Sequence, residues 1–263
     1  MVRKIAFLAI AVILEFSLAT IATADILTFD SQPVLSQTDA PGTWYVDRYA
    51  PASFSSVPFD GDNRLQIQIS ASDYQSNTFY DYQGRTYDFT SPVNSYSMNG
   101  ELYVSSNWET ATTNVGMWGT INTSVGIDRY PLFVFRHVGS DIGFYGFDYN
   151  GTTGSSSNYF LVAPVTSFDT WYNLSMSYSA TSLNYYINGN LVYQYSDPYI
   201  SYYDTIGSII LNSYNAGLSY DVYWDNVGTA PVSEPPCILL LTCSLVGLGA
   251  LNLVRKKGCI IPG

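Results

Sequence analysis

The chain has 263 residues, with 21 carboxylates against 10 Lys and Arg, and only 12% of its residues are charged. Within residues 25–236 the only strong cations are Arg48, Arg64, Arg85, Arg129 and Arg136, facing twenty carboxylates, a balance of −15. So acidic a stretch excludes nucleic acid as a partner, because neutralising phosphate needs clustered Lys and Arg.

In chain order, Arg3 and Lys4 precede a ten-residue apolar run from Ile5 to Leu14, and Ala22-Thr23-Ala24 offers a small-residue cleavage site. That is the pattern of a secretory signal peptide over residues 1–24, with a run too short to span a bilayer. All three cysteines, Cys237, Cys243 and Cys259, lie near the other end. Residues 25–236 therefore have no disulfide framework and no thiolate chemistry.

The region 25–229 reads as β nearly throughout. Leu65 to Ser70 and Leu174 to Ser179 alternate apolar and polar residues, which sets one strand face on a core and the other in water. Further strands are expected at 26–29, 98–104, 114–121, 132–137, 143–149, 208–212 and 220–227. Asn188-Gly189-Asn190 separates two such runs and marks a hairpin, since Asn and Gly tolerate positive φ. Asp60-Gly61, Asn99-Gly100 and Asn150-Gly151 mark further turns. About a dozen antiparallel strands without intervening helices imply an all-β, two-sheet jelly-roll sandwich. In this pattern Trp118 and Trp171 belong to the core.

Trp171 to Tyr178, the hairpin Leu183 to Val192, and Val222-Tyr223-Trp224-Asp225-Asn226-Val227 resemble laminin-G/concanavalin-A-like jelly rolls. That fold hosts lectins, glycanases and adhesive modules alike, so function must come from a site. Jelly-roll glycanases resembling it carry a Glu-x-Asp-x-Glu strand, and no such triplet occurs here. The only glutamates of residues 25–236 are Glu101, Glu109 and Glu234, so the expected role is non-enzymatic contact with an extracellular glycan or exopolysaccharide. The alternatives are a structural surface protein without a ligand and a degenerate glycanase using Glu101 and Glu109. His137 is the lone histidine and reads as a structural strand-end residue, since one imidazole cannot build a His-rich metal site. Exposed aromatics suit sugar rings; Tyr199, Tyr202, Tyr203 and Trp108 are the expected ligand platform. Calcium is the expected cofactor: the first and last strands of jelly rolls lie side by side, which would bring Asp30 and Asp225 to one ion.

After a short linker, 230–236, come an eighteen-residue apolar segment, 237–254, and a basic end, 255–263, opened by Arg255-Lys256-Lys257. The segment has the length of a minimal transmembrane helix, and the basic cluster sets its end on the cytoplasmic side. With Val232-Ser233-Glu234-Pro235 before it, this tail resembles the PEP-CTERM sorting tail of exported bacterial proteins. Ser233 replaces the first Pro of the family motif. The resemblance implies an exosortase-like processing enzyme as partner, anchoring in the inner membrane before cleavage, and a final place at the cell surface or outside the cell.

Overall fold

The computed structural model describes residues 25–76, 81–89, 97–123, 126–150, 155–156, 158–179, 182–196 and 205–229. The expected signal peptide (1–24), the sorting motif Val232-Ser233-Glu234-Pro235, the apolar segment 237–254 and Arg255-Lys256-Lys257 lie outside these residues. So do Tyr199, Tyr202 and Tyr203. All described residues belong to one compact unit, Met1–Pro231.

In chain order the strands are β1 (Asp25–Leu27), β2 (Leu35–Ser36), β3 (Trp44–Val46), β4 (Ser53–Phe59), β5 (Asp62–Ile69) and β6 (Tyr82–Asp88). They continue with β7 (Ser97–Val104), β8 (Thr113–Thr123), β9 (Gly126–Val138), β10 (Asp141–Asn150), β11 (Ser155–Ser156) and β12 (Phe160–Ala163). The last five are β13 (Thr170–Ser179), β14 (Ser182–Ile187), β15 (Asn190–Ser196), β16 (Thr205–Tyr214) and β17 (Tyr220–Thr229). Among the described residues the only helices are two 3-10 turns, Ala71–Asp73 and Ser106–Glu109, and no helix is long and apolar enough to cross a membrane.

The strands form two sheets. An eight-stranded sheet runs β15-β14-β13-β7-β17-β5-β4, with β1 also paired to β17; a nine-stranded sheet runs β11-β10-β9-β8-β16-β6-β3-β2, with β12 also paired to β10. All pairings are antiparallel except β2 with β3. The expected all-β sandwich is what the chain builds. Alternation explains the layer between the sheets: Leu65, Ile67 and Ile69 of β5, Met98, Leu102 and Val104 of β7, and Val222 and Trp224 of β17 point inward. Facing them are Val115 and Met117 of β8, Phe133 and Phe135 of β9, and Ile209 and Leu211 of β16. Burial of this order contributes ~1.5–3 kcal/mol per large apolar side chain.

Two turns form as the sequence implies. Asn188 and Gly189, both at positive φ (51° and 77°), close β14 to β15, and Asp60 and Gly61 (52° and 85°) close β4 to β5. Asp60 to Asn63, which has the look of a partial calcium loop, is this hairpin corner. Asn99-Gly100 is a correction: it lies inside β7, not in a turn. Gly100 is there because Trp224 crosses it so closely that a β-carbon would sit 3.2 Å from the indole.

Candidate functional site

Strand β9 carries apolar side chains on both faces. Phe133 and Phe135 enter the inter-sheet core, while Leu132 and Val134 point the other way and form a second cluster with Trp118, Tyr130, Tyr145, Phe147 and Tyr159. An outer sheet face is usually polar, so an aromatic one is a candidate ligand surface. Register lays the face out in rows across the nine-stranded sheet. One row runs Tyr45, Thr86, Ile210, Trp118, Leu132, Phe147; the next runs Gly84, Asn212, Gly116, Val134, Tyr145.

Asn212 is fully buried on this face, and neither its amide nitrogen nor its amide oxygen has a partner. The Oδ1 of Asn114 and the indole N–H of Trp118 are also buried without a partner. Unpaired buried polar groups cost ~1–3 kcal/mol each, so water or a ligand hydroxyl is expected among them. Gly84 and Gly116 flank Asn212, and a β-carbon at either would collide with its neighbours, at 2.5 Å from Asn212 Cβ and 2.3 Å from Val134 Cγ1.

Two residues close over the rows. Arg48, just past β3, stacks its guanidinium 3.9 Å from the Trp118 ring and 5.4 Å from that of Tyr82, and pairs with Asp47 at 2.5 Å. Trp118 and Tyr82 stand on the two strands flanking β16, so the guanidinium spans the strand that carries Asn212. Tyr159 hydrogen-bonds the hydroxyl of Tyr82 at 3.3 Å and lies under the Arg136 guanidinium at 4.5 Å.

At the β3 side of the face three carboxyls act on one phenol. Tyr45 donates to Asp88 Oδ1 at 3.0 Å; its phenol pKa is raised by burial first, then by Asp88, with Asp39 and Asp47 adding smaller electrostatic contributions. Desolvation by burial, then hydrogen bonding to Asp39, push the Asp88 carboxyl up to about 6. Burial also raises the Asp47 carboxyl, although the Arg48 charge opposes this. Burial and then the Asp47 charge raise the phenol of Tyr130, which links the carboxyl group to the aromatic rows. The sequence signal was faint: Asp39, Asp47 and Asp88 are scattered singly, and only the meeting of β3 with β6 joins them.

The residues expected to form a site are placed elsewhere. Trp108 is 2% exposed and packs on Phe135 and Tyr220, so it offers no open ring face to a sugar. Trp118 and Trp171, expected in the core, both point outward from their sheets and are half-buried. Glu101 accepts a hydrogen bond from Asn226 at 2.9 Å on β7, and Glu109 is exposed at the end of a 3-10 turn; neither joins the carboxyl group above. His137 donates through Nδ1 to the Trp108 carbonyl at 2.8 Å, a structural contact. Asp30 and Asp225, the expected calcium ligands, have other contacts in the structure. Buried Asp225 is ion-paired with Arg64, whose positive charge opposes a second cation, and Asp30 accepts instead from Thr28 at 2.7 Å. Among the described residues no group of three or more His, Cys, Asp or Glu could hold a metal ion.

No family model matches the chain, and no curated protein matches it. Solved structures do. The laminarinase catalytic domain of Thermotoga maritima MSB8 superposes with a TM-score of 0.52 at 14% identity, covering 80% of this chain and 100% of that one. SCLam, a non-specific endo-β-1,3(4)-glucanase from family GH16, gives 0.52 at 11% identity over 79% and 90%. LamA from Z. galactanivorans, in complex with laminaritriose and laminaritetraose, gives 0.53 at 14% over 79% and 98%. At such identities the likeness establishes the concanavalin-A-like jelly roll. It corrects the expectation of a non-enzymatic surface protein to this extent: the solved structures that share the frame are glucan-cleaving enzymes, so the fold gives no support to a purely structural role. That expectation rested on one missing motif, which tests a single arrangement of carboxylates.

Proposed function

We propose that the protein is a glycan-cleaving enzyme, divergent from the glucanases it resembles, with the outer face of the nine-stranded sheet as its active face and a β-1,3-linked glucan as substrate class. The observation that carries this reading is the Asp88 carboxyl, raised to about 6 beside Asp39 and Tyr45 on a face lined with aromatic rings. Such a carboxyl holds its proton in mildly acidic water and can still release it, which general-acid catalysis requires. Tyr130 and Tyr149, whose rings reach solvent along this face, supply ring faces for pyranoses.

In this reading Asp88 gives its proton to the glycosidic oxygen as the C1–O bond breaks. A water oxygen bonds to C1, and the proton that water sheds passes to Asp47, held near Tyr45 and Tyr130 by its pairing with Arg48. One bond is hydrolysed, and proton exchange with solvent restores both carboxyls. Release of reducing ends from a soluble β-1,3-glucan by the full-length chain tests it. The rate is expected to fall as pH rises above about 6, and Asp88→Asn is expected to lower it by ~10²-fold or more. No release, or an Asn variant as fast as the parent, overturns the reading.

We propose further that residues 1–24 direct export and that the tail from Val232 to Lys257 is a PEP-CTERM-like sorting signal cut by an exosortase-like enzyme. The three-part order of motif, apolar run and basic end supports this. The C-terminal mass of the protein from its native host decides it. A chain ending near Glu234 agrees, and one that still ends at Gly263 refutes it.

A further inference from the structure

The opposite surface of the sandwich, the outer face of the eight-stranded sheet, carries a second aromatic group that the proposed reaction does not use. Phe59 at the end of β4 stacks on Tyr223 of β17, with ring centroids 3.7 Å apart and planes within 6°. Tyr103 of β7 stands edge-on to Phe59 at 4.9 Å, and Trp171 of β13 meets Tyr103 at 5.5 Å. All four rings are half-buried, so parts of them face solvent. Beside them opens a groove of about 630 Å³ lined by Phe59, Tyr103 and Tyr223 on one side and by Asp169 and Asp221 among others. That volume lies within the ~300–1,000 Å³ usual for ligand sites.

The chemistry of the groove selects its occupant. Its lining has two carboxylates and no Arg, Lys or His, which excludes an anionic ligand. The carboxylates are already oriented: Asp169 accepts from the Ser106 N–H at 2.8 Å and from the Tyr103 hydroxyl at 3.4 Å, and these hydrogen bonds lower its pKa. Asp221 accepts from Gln68 at 3.4 Å. Phe59 and Tyr223 stack on each other and Tyr103 and Trp171 stand edge-on, so the group offers its remaining exposed ring faces and edges in a line along one sheet face and forms no cage around a point, which suits an extended ligand better than a compact cation. A β-linked glucan has that form. Its equatorial hydroxyls leave C–H faces bare above and below each ring, and the hydroxyls at the rim need acceptors.

We infer that this groove is a second, non-catalytic binding site for a neutral β-glycan chain, holding polysaccharide on the sheet opposite the active face. The choice of a glucan as occupant rests on the proposed function; the groove and its aromatic wall do not. The test measures retention of the full-length chain on insoluble β-1,3-glucan in an Asp88→Asn background, which prevents loss of the matrix by cleavage. Tyr103→Ala and Tyr223→Ala are each expected to weaken retention about tenfold, the scale of one lost ring contact. Tyr103→Phe, which keeps the ring, is expected to bind within about twofold of its parent. Thermal unfolding of each variant controls for folding, and surface rings on the outer face leave the core intact. Equal retention of the parent and both alanine variants overturns the site, as does a parent that is not retained at all. Hydrolysis of a soluble laminari-tetrasaccharide by the unsubstituted chain is scored separately. Its absence, alongside ring-dependent retention, overturns the catalytic reading and leaves the binding site standing.

Discussion

Asp88 shows how much one side chain's setting changes its chemistry. An aspartate in water titrates near ~3.9; here partial burial and a second carboxyl, Asp39, raise the group to about 6. The folded state therefore binds this proton more tightly than the unfolded chain. Its stabilising contribution is full below about pH 4 and is lost as pH rises through about 6. Asp88→Asn keeps an oxygen for the Tyr45 hydroxyl and removes the titration. The variant is expected to melt higher than the parent at pH 8, with the advantage shrinking to nothing by pH 4. A melting difference that stays constant across this range would refute the assignment. Arg48 works at the same scale. It pairs with half-buried Asp47 and lays its planar guanidinium on Trp118, and both contacts favour arginine over lysine.

At the scale of elements, alternation and turn chemistry carried most of the information. Leu65-Gln66-Ile67-Gln68-Ile69 could only be a strand with one buried face, and it is. Asn188-Gly189 could only be a tight hairpin turn, and both residues have positive φ. Asn99-Gly100 had the same local chemistry and meant something else. The glycine of β7 answers to Trp224 on the neighbouring β17, a contact more than a hundred residues away in the chain. Gly100→Ala would place a β-carbon 3.2 Å from the indole and 3.3 Å from Val227. Overpacking of this kind costs ~1–3 kcal/mol. Chemical denaturation should show that loss with the slope of the transition unchanged, and a neutral result would mean that the core yields there without strain.

At the scale of the whole molecule, the sandwich has two outer faces with different charge and shape. One carries raised carboxyls, unpaired amides and a guanidinium lid; the other carries a cluster of stacked and edge-on rings bordered by Asp169 and Asp221. A layered fold permits this, because the inter-sheet core is closed by inward residues alone and leaves each outer face free to take a separate task. The general acidity of the chain suits both faces to neutral polymers and keeps polyanions away.

The amino-acid sequence by itself settled the all-β class, the two-sheet sandwich and most strand positions, since these follow from side-chain period and turn residues, both local properties. Which of two outward-pointing tryptophans sits over which strand, and which scattered aspartates come together, depended on sheet order. β6 pairs with β3 and β16, and β16 with β8. That order joins Asp39, Asp47 and Asp88 around Tyr45 and sets Arg48 over Trp118, through contacts between segments that no local pattern links. Only the tertiary structure could decide them, because strand pairing is chosen by the burial of the whole sheet rather than by any one strand.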